Sequence, residues 1–238
     1  MVARVSLLAF LAFAVCMSGA RPDKDSIFSC AASSIWSGAN TVVPSPDGKK
    51  KIIIGPPNPA NSEETHRVAV RIGSRTFPTT IGALVNAEAA WSPHSKAFFV
   101  TYSDGGDVGT YRVRVYYATD AGIRWVEPIT NGRRLLTPNC FDPEVPNVGA
   151  IEWFGAGSDE LAVAIQVPPH SSCAAMGTFR AFIIRVPSGA IVAAYSQVQA
   201  KKLFSNAIGP TLQDADNACA EKPQTCIPCG MKGGRCAH

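Results

Sequence analysis

Residues 90–117 read AWSPHSKAFFVTYSDGGDVGTYRVRVYY, and the fold of the whole chain turns on them. Trp91-Ser92-Pro93-His94-Ser95-Lys96 is turn chemistry, because proline presets φ and small polar side chains close the bend. Residues 97–102 are apolar and aromatic, the composition of a buried strand. Residues 103–109, SDGGDVG, tolerate positive φ and let the chain reverse. Residues 110–116 then alternate, with Arg112 and Arg114 on one face and Tyr111, Val113 and Val115 on the other. That period of two predicts a half-buried strand, and the stretch as a whole predicts a hairpin entered through a tight turn.

Weaker copies stand on either side. Upstream, PSPDGK at 44–49 precedes Ile52-Ile53-Ile54, and a polar loop leads to Thr65-His66-Arg67-Val68-Ala69-Val70-Arg71. Downstream, residues 153–159 precede the apolar run 161–165, and a longer loop leads to Thr178-Phe179-Arg180 and the apolar residues 181–183. Each copy opens its second strand with Thr, a ring-bearing residue and Arg. The Ser-Pro turn belongs to the first two copies, and a Trp at or before the turn to the last two. The pattern predicts an all-β fold of three antiparallel sheet units.

The SPDGKK turn with its apolar run at 45–54, and the WSPHSK turn with its run at 91–100, resemble the WD40-like repeats of periplasmic TolB-type β-propellers. The resemblance covers residues 36–196 and implies one four-stranded propeller blade per turn, in a protein that works by binding partners. Propellers close with about 4 to 8 blades. Three units therefore predict an incomplete propeller or sheets folded over one another as a sandwich.

Around these copies the chain divides into a leader at 1–20, an all-β domain at 21–208 and a cysteine-rich tail at 209–238. Residues 1–20 have the three parts of a secretory signal: Arg4, the apolar run 5–15, and Ser18-Gly19-Ala20 before the cut. Cys16 follows Val15, where a lipoprotein signal wants a small residue, so ordinary cleavage after Ala20 is expected. The apolar run is too short to span a bilayer, and no second stretch reaches that length. A periplasmic or extracellular location without a membrane span follows. The formal charge of +4 is scattered and argues against nucleic acid as a partner.

Within the domain, residues 21–37 read as a lead-in with little periodicity, and 131–147 as a polar connection. Residues 75–81 read as the last strand of the first unit, held to a sheet edge by Pro78. Residues 123–129 close the second unit. A final strand is expected over 189–199 and a short helix over 200–208.

Export makes the cysteines candidates for disulfides. Those beyond the leader are Cys30, Cys140, Cys173, Cys219, Cys226, Cys229 and Cys236, an odd set. Cys140 and Cys173 lie in loops flanking consecutive sheet segments and are the preferred pair. Cys226-Ile227-Pro228-Cys229 is a CxxC motif, which serves thiol–disulfide exchange where a helix N-terminus stabilises the thiolate. Only the flexible Gly230-Met231-Lys232-Gly233-Gly234 follows it, so a cystine-stapled tail competes with the redox reading. A zinc site of tail cysteines with His238 is the third reading, though its spacing is not that of a zinc finger.

Other motifs are weaker still. Asp104-Gly105-Gly106-Asp107 lacks the alternating acids of a calcium loop and reads as a plain reversal. His66, His94, His170 and His238 show no paired metal spacing. No G-x-S-x-G elbow, H-E-x-x-H or Walker loop is present. No cofactor or catalytic residue is therefore expected. The recurrent Arg67, Arg112 and Arg180 are candidate binding residues, as guanidinium groups for an anionic partner or as strand caps. The reading is an exported, non-catalytic binding protein for a protein or cell-envelope component. A thiol-redox or metal-binding role of the tail is the alternative.

Overall fold

The computed structural model describes residues 27–36, 40–55, 67–82, 84–103, 105, 110–126, 145–154, 160–169 and 175–215. The strands are β1 (Ser33–Trp36), β2 (Thr41–Pro44), β3 (Lys50–Gly55), β4 (Arg67–Ile72), β5 (Arg75–Pro78), β6 (Asn86–Trp91), β7 (Ala97–Ser103), β8 (Arg112–Thr119), β9 (Gly122–Val126), β10 (Asn147–Phe154), β11 (Glu160–Gln166), β12 (Phe179–Arg185) and β13 (Ala190–Tyr195). Two short helices follow, α1 (Gln197–Leu203) and α2 (Pro210–Gln213). The fold is all-β.

The strands form three antiparallel sheets, ordered β2-β3-β4-β5, β1-β6-β7-β8-β9 and β10-β11-β12-β13. Each contains a four-strand meander, the connectivity of a propeller blade, and none closes into a barrel. Arg75–Pro78 lies at its sheet's edge, as Pro78 requires, since proline has no N–H for a ladder.

The sheets stack face to face. Period-two alternation in the first sheet turns Val43, Ile52, Ile54, Val68 and Val70 inward, where they meet Ala89, Trp91, Phe98 and Tyr116 of the second. Phe98 stacks on Tyr116 at 5.0 Å and lies 4.9 Å from the Trp91 ring. The opposite face of the second sheet, with Ala97, Phe99, Val113 and Val115, meets Leu161, Val163, Ile165, Phe182 and Ile184 of the third. Each such side chain, buried, contributes on the order of 1.5–3 kcal/mol.

Two devices recur along the stack. Trp91 donates its indole N–H to the carbonyl of Val43 at 3.0 Å, joining the second sheet to the first. Trp153 donates to the carbonyl of Ala90 at 3.3 Å, joining the third to the second. The two Ser-Pro turns are also built alike. Ser45 accepts from the amide of Lys50 and Ser92 from the amide of Ala97, through their hydroxyls, at 2.9 and 3.1 Å. Gly48 and Ser95 occupy the same place in their turns with φ of 70° and 57°, a left-handed conformation that glycine adopts freely and serine does not. The Ser95 hydroxyl accepts from the amide of Asp47 at 3.0 Å and so ties one turn to the other.

The central strands of the third sheet, β11 and β12, are buried on both faces, while the edge strand β13 leaves Ile191 and Val192 exposed. Ile151, Ala162, Ala164, Ala181 and Ile183 on the sheet's outer face are covered by Ile27, Phe28, Phe204, Ile208 and Leu212. Three sequence expectations change here. The lead-in at 21–37 contributes β1 and the buried Ile27 and Phe28, because apolar residues too few for periodicity still find the cap. The final strand stops at Tyr195, and the helix starts at Gln197 instead of 200. Ser196 takes the N-cap, accepting from Gln199 N while the Gln199 side chain accepts from Ser196 N, a capping box that fixes the boundary. The chain also remains tied to the core as far as Ala215, past the start of the cysteine-rich segment.

Candidate functional site

The three recurrent arginines take matching places in separate sheets. Arg67 opens β4 opposite Gly55, Arg112 opens β8 opposite Tyr102, and Arg180 stands at the second position of β12 opposite Ile165. All three are exposed, each on the third strand of its meander. The Arg180 guanidinium lies 5.4 Å from the Phe182 ring centre. Cys140, Cys173, Cys226 and Cys229 lie outside the described residues, as do His66, His170, His238 and Asp104. Cys30 is described, with its thiol 3.4 Å from the carbonyl of Ile208, so it faces the segment that leads into the tail. His94 is exposed in its turn.

Among the described residues no group of three His, Cys, Asp or Glu side chains is placed to hold a metal ion. No described helix is long and apolar enough to cross a membrane.

A buried polar layer was not legible in the sequence. Its centre is Glu88, in the middle of β6 and wholly enclosed. The carboxylate accepts from the amides of Ile27 at 2.5 Å, Phe28 at 3.1 Å and Ser29 at 3.4 Å. Burial pushes its pKa up to about 7 and outweighs the three amides, which favour the charged form. Ser29 Oγ donates to the carbonyl of Ile151 at 2.5 Å. The same short segment is laced to the C-terminal side: Cys30 N donates to Ala207 O at 2.8 Å, Gly209 N to Phe28 O at 2.8 Å, and Thr211 N to Ile27 O at 3.2 Å. Residues 27–30 thus form a strap joining the second sheet, the third sheet and the segment after α1.

The layer continues through amide side chains. Asn86 Nδ2 donates to Tyr111 Oη at 3.0 Å, Tyr111 N donates to Asn147 Oδ1 at 3.0 Å, and Asn147 Nδ2 donates to Gln166 Oε1 at 3.3 Å. Desolvation raises the Tyr111 pKa as well. Glu88, with no exposed surface, has no route to a substrate. Its geometry is that of a structural acceptor.

At the far end of the stack the first sheet turns a face to the outside. The outward face of the first sheet runs in cross-strand rows, Val42–Ile53–Ala69–Pro78 beside Pro44–Lys51–Arg71–Thr76. Val42 is 53% exposed, and Ile53 and Ala69 are half-buried. Lys51, Arg67 and Arg71 are exposed and flank the apolar row on both sides. Arg67 is therefore the one predicted arginine that borders an apolar surface on this sheet. The signal for the face was the alternation in KKIIIG and RVAVRI, which sets Lys and Arg beside Ile and Ala on one side.

No protein-family model, curated protein or solved structure matches this chain.

Proposed function

We propose that this is an exported, non-catalytic interaction protein, built of propeller-like sheet units, that holds a protein or cell-envelope component against an end of its sheet stack. The observation that carries the reading is the outward face of β2–β5. It presents an apolar row between Lys51 and Arg71 on one side and Arg67 on the other, while at the other end of the stack the strap, α1 and α2 cover Ile151, Ala162, Ala164, Ala181 and Ile183 and leave Ile191 and Val192 of β13 exposed. A face of that composition is a binding surface when it is rimmed by charge. The WD40-like resemblance of the turns at 45–54 and 91–100 supports the same reading, and so does a leader at 1–20 that delivers the chain beyond the cytoplasm.

The test is site-directed photo-crosslinking in an envelope extract. A benzophenone side chain in place of Val42 is expected to give discrete adducts. The same group in place of Asp120, an exposed residue between β8 and β9, is expected to give none. Identical adduct patterns at the two positions would sink the reading. Cell fractionation tests the location, with the mature chain expected outside the cytoplasm and beginning at Arg21.

A further inference from the structure

We infer that the outward face of β2–β5 receives an amphipathic helix of another protein, one whose apolar stripe is flanked by aspartate and glutamate. The inference rests on the binding reading above and gives that surface its partner. Three observations carry it.

The first is size. Strands about 4.8 Å apart and about 3.3 Å per residue make a four-stranded face of on the order of 300–400 Å². A stable globular interface needs roughly 800 Å² per partner, about twice what this face offers. A helix about 10 Å across lies along it.

The second is charge. Lys51 and Arg71 stand on one side of the Val42–Ile53–Ala69–Pro78 row and Arg67 on the other. Lys51, Arg67 and Arg71 are all exposed, and no side-chain hydrogen bond or ion pair joins any of them to another described residue. Their guanidinium and ammonium groups match carboxylates beside an apolar stripe and oppose a second copy of the same cationic face.

The third is precedent within the molecule. The outer face of the third sheet is covered by a helix, α1, seated through Ala200 with Phe204 directly after it. Small residues at Ala162, Ala164 and Ala181 let that cover approach closely. On the first sheet's face Ala69 is the small residue in the middle of the row, between Ile53 and the edge residue Pro78.

The experiment displays a library of helical peptides that share one leucine stripe and differ in their flanking residues, acidic, neutral or basic, and selects it on the full-length protein. Acidic flanks are expected to be enriched. Binding of the selected peptides is expected to fall at least tenfold in Ile53→Asp and in the Lys51→Glu/Arg71→Glu double variant. These are surface changes, and an unchanged circular dichroism spectrum and melting temperature show that the fold persists. Affinity is expected to weaken as salt rises.

Enrichment of neutral or basic flanks overturns the inference. So does binding of phosphatidylglycerol vesicles, lost in the same variants, with no peptide selected, because that puts a membrane on this face. Intramolecular crosslinks from the benzophenone at position 42 overturn it in favour of a segment of the chain itself. Peptides whose binding survives both variants refute the site and leave the general binding reading standing. No selection of any peptide, together with no adducts in the envelope extract, ends both.

Discussion

The first and third sheets have the same antiparallel meander and opposite fates. In β11 and β12, ELAVAIQ and FRAFIIR, apolar residues run on without alternation, and both faces are buried. In β3 and β4, KKIIIG and RVAVRI, every second residue is charged, small or half-exposed, and one face is left to the outside. The difference teaches that the position of a sheet in a stack is encoded on its second face. In the central strands continuous apolar runs go with a cover and alternating ones do without, while the apolar edge strand β13 stays largely exposed. Here the cover is assembled from the two regions that bracket the sheets, residues 27–30 and 197–215.

The contrast is broken hardest at the cap. Phe28 is fully buried, its ring seated on Gly149, which has no side chain to fill the space. Phe28→Ala is expected to destabilise the protein by about 3–5 kcal/mol in chemical denaturation.

Glu88 sharpens it through pH. Its folded-state pKa of about 7 lies above its ordinary 4.5, so the folded protein binds the proton more tightly than the unfolded chain. Stability is therefore highest below pH 4.5 as far as this group is concerned, and is lost as pH rises towards 7, by on the order of 3 kcal/mol in total. Glu88→Gln is expected to flatten that part of the profile, measured as the denaturation midpoint between pH 4.5 and 7. An unchanged slope would show that the amides of Ile27, Phe28 and Ser29 hold the carboxylate charged.

A smaller effect is expected between sheets. Trp91→Phe keeps the ring and removes the N–H that reaches Val43, leaving a buried carbonyl short of a donor, at about 1 kcal/mol. The smallest is at the uncovered face. Ile53→Ala is expected to shift stability by less than about 1 kcal/mol, a fraction of the Phe28→Ala effect. A loss comparable to that of Phe28→Ala would mean the face is covered after all.

Much of the architecture was legible in the chain. The turn at Ser92-Pro93, the buried β7 and the alternating β8 stand where residues 90–117 place them, and Thr-ring-Arg marks the third strand of each meander. The first strand of each meander, β2, β6 and β10, was not legible. Asn86–Trp91 reads NAEAAW, small and polar residues with little strand propensity, and in Asn147–Phe154, NVGAIEWF, a glycine and two polar residues interrupt the apolar ones. They are strands because they sit where sheets converge, where Ala87, Ala89 and Gly149 fit and larger side chains do not. Glu88 was missed for the same reason. A lone acid among alanines reveals nothing until the chain brings three backbone N–H groups to it from residues 27–29. The arginines were found by their repetition, and only their setting distinguishes Arg67, on an open face, from Arg180, over a ring.

The strap has a consequence for how this protein is made. Residues 27–30 leave the ribosome long before residues 207–211 exist for them to bond, and until then Phe28 and the third sheet's outer alanines lack the cover that segment supplies. The last stitch of assembly therefore joins residues 27–30 to residues 207–211, near the two ends of the described chain.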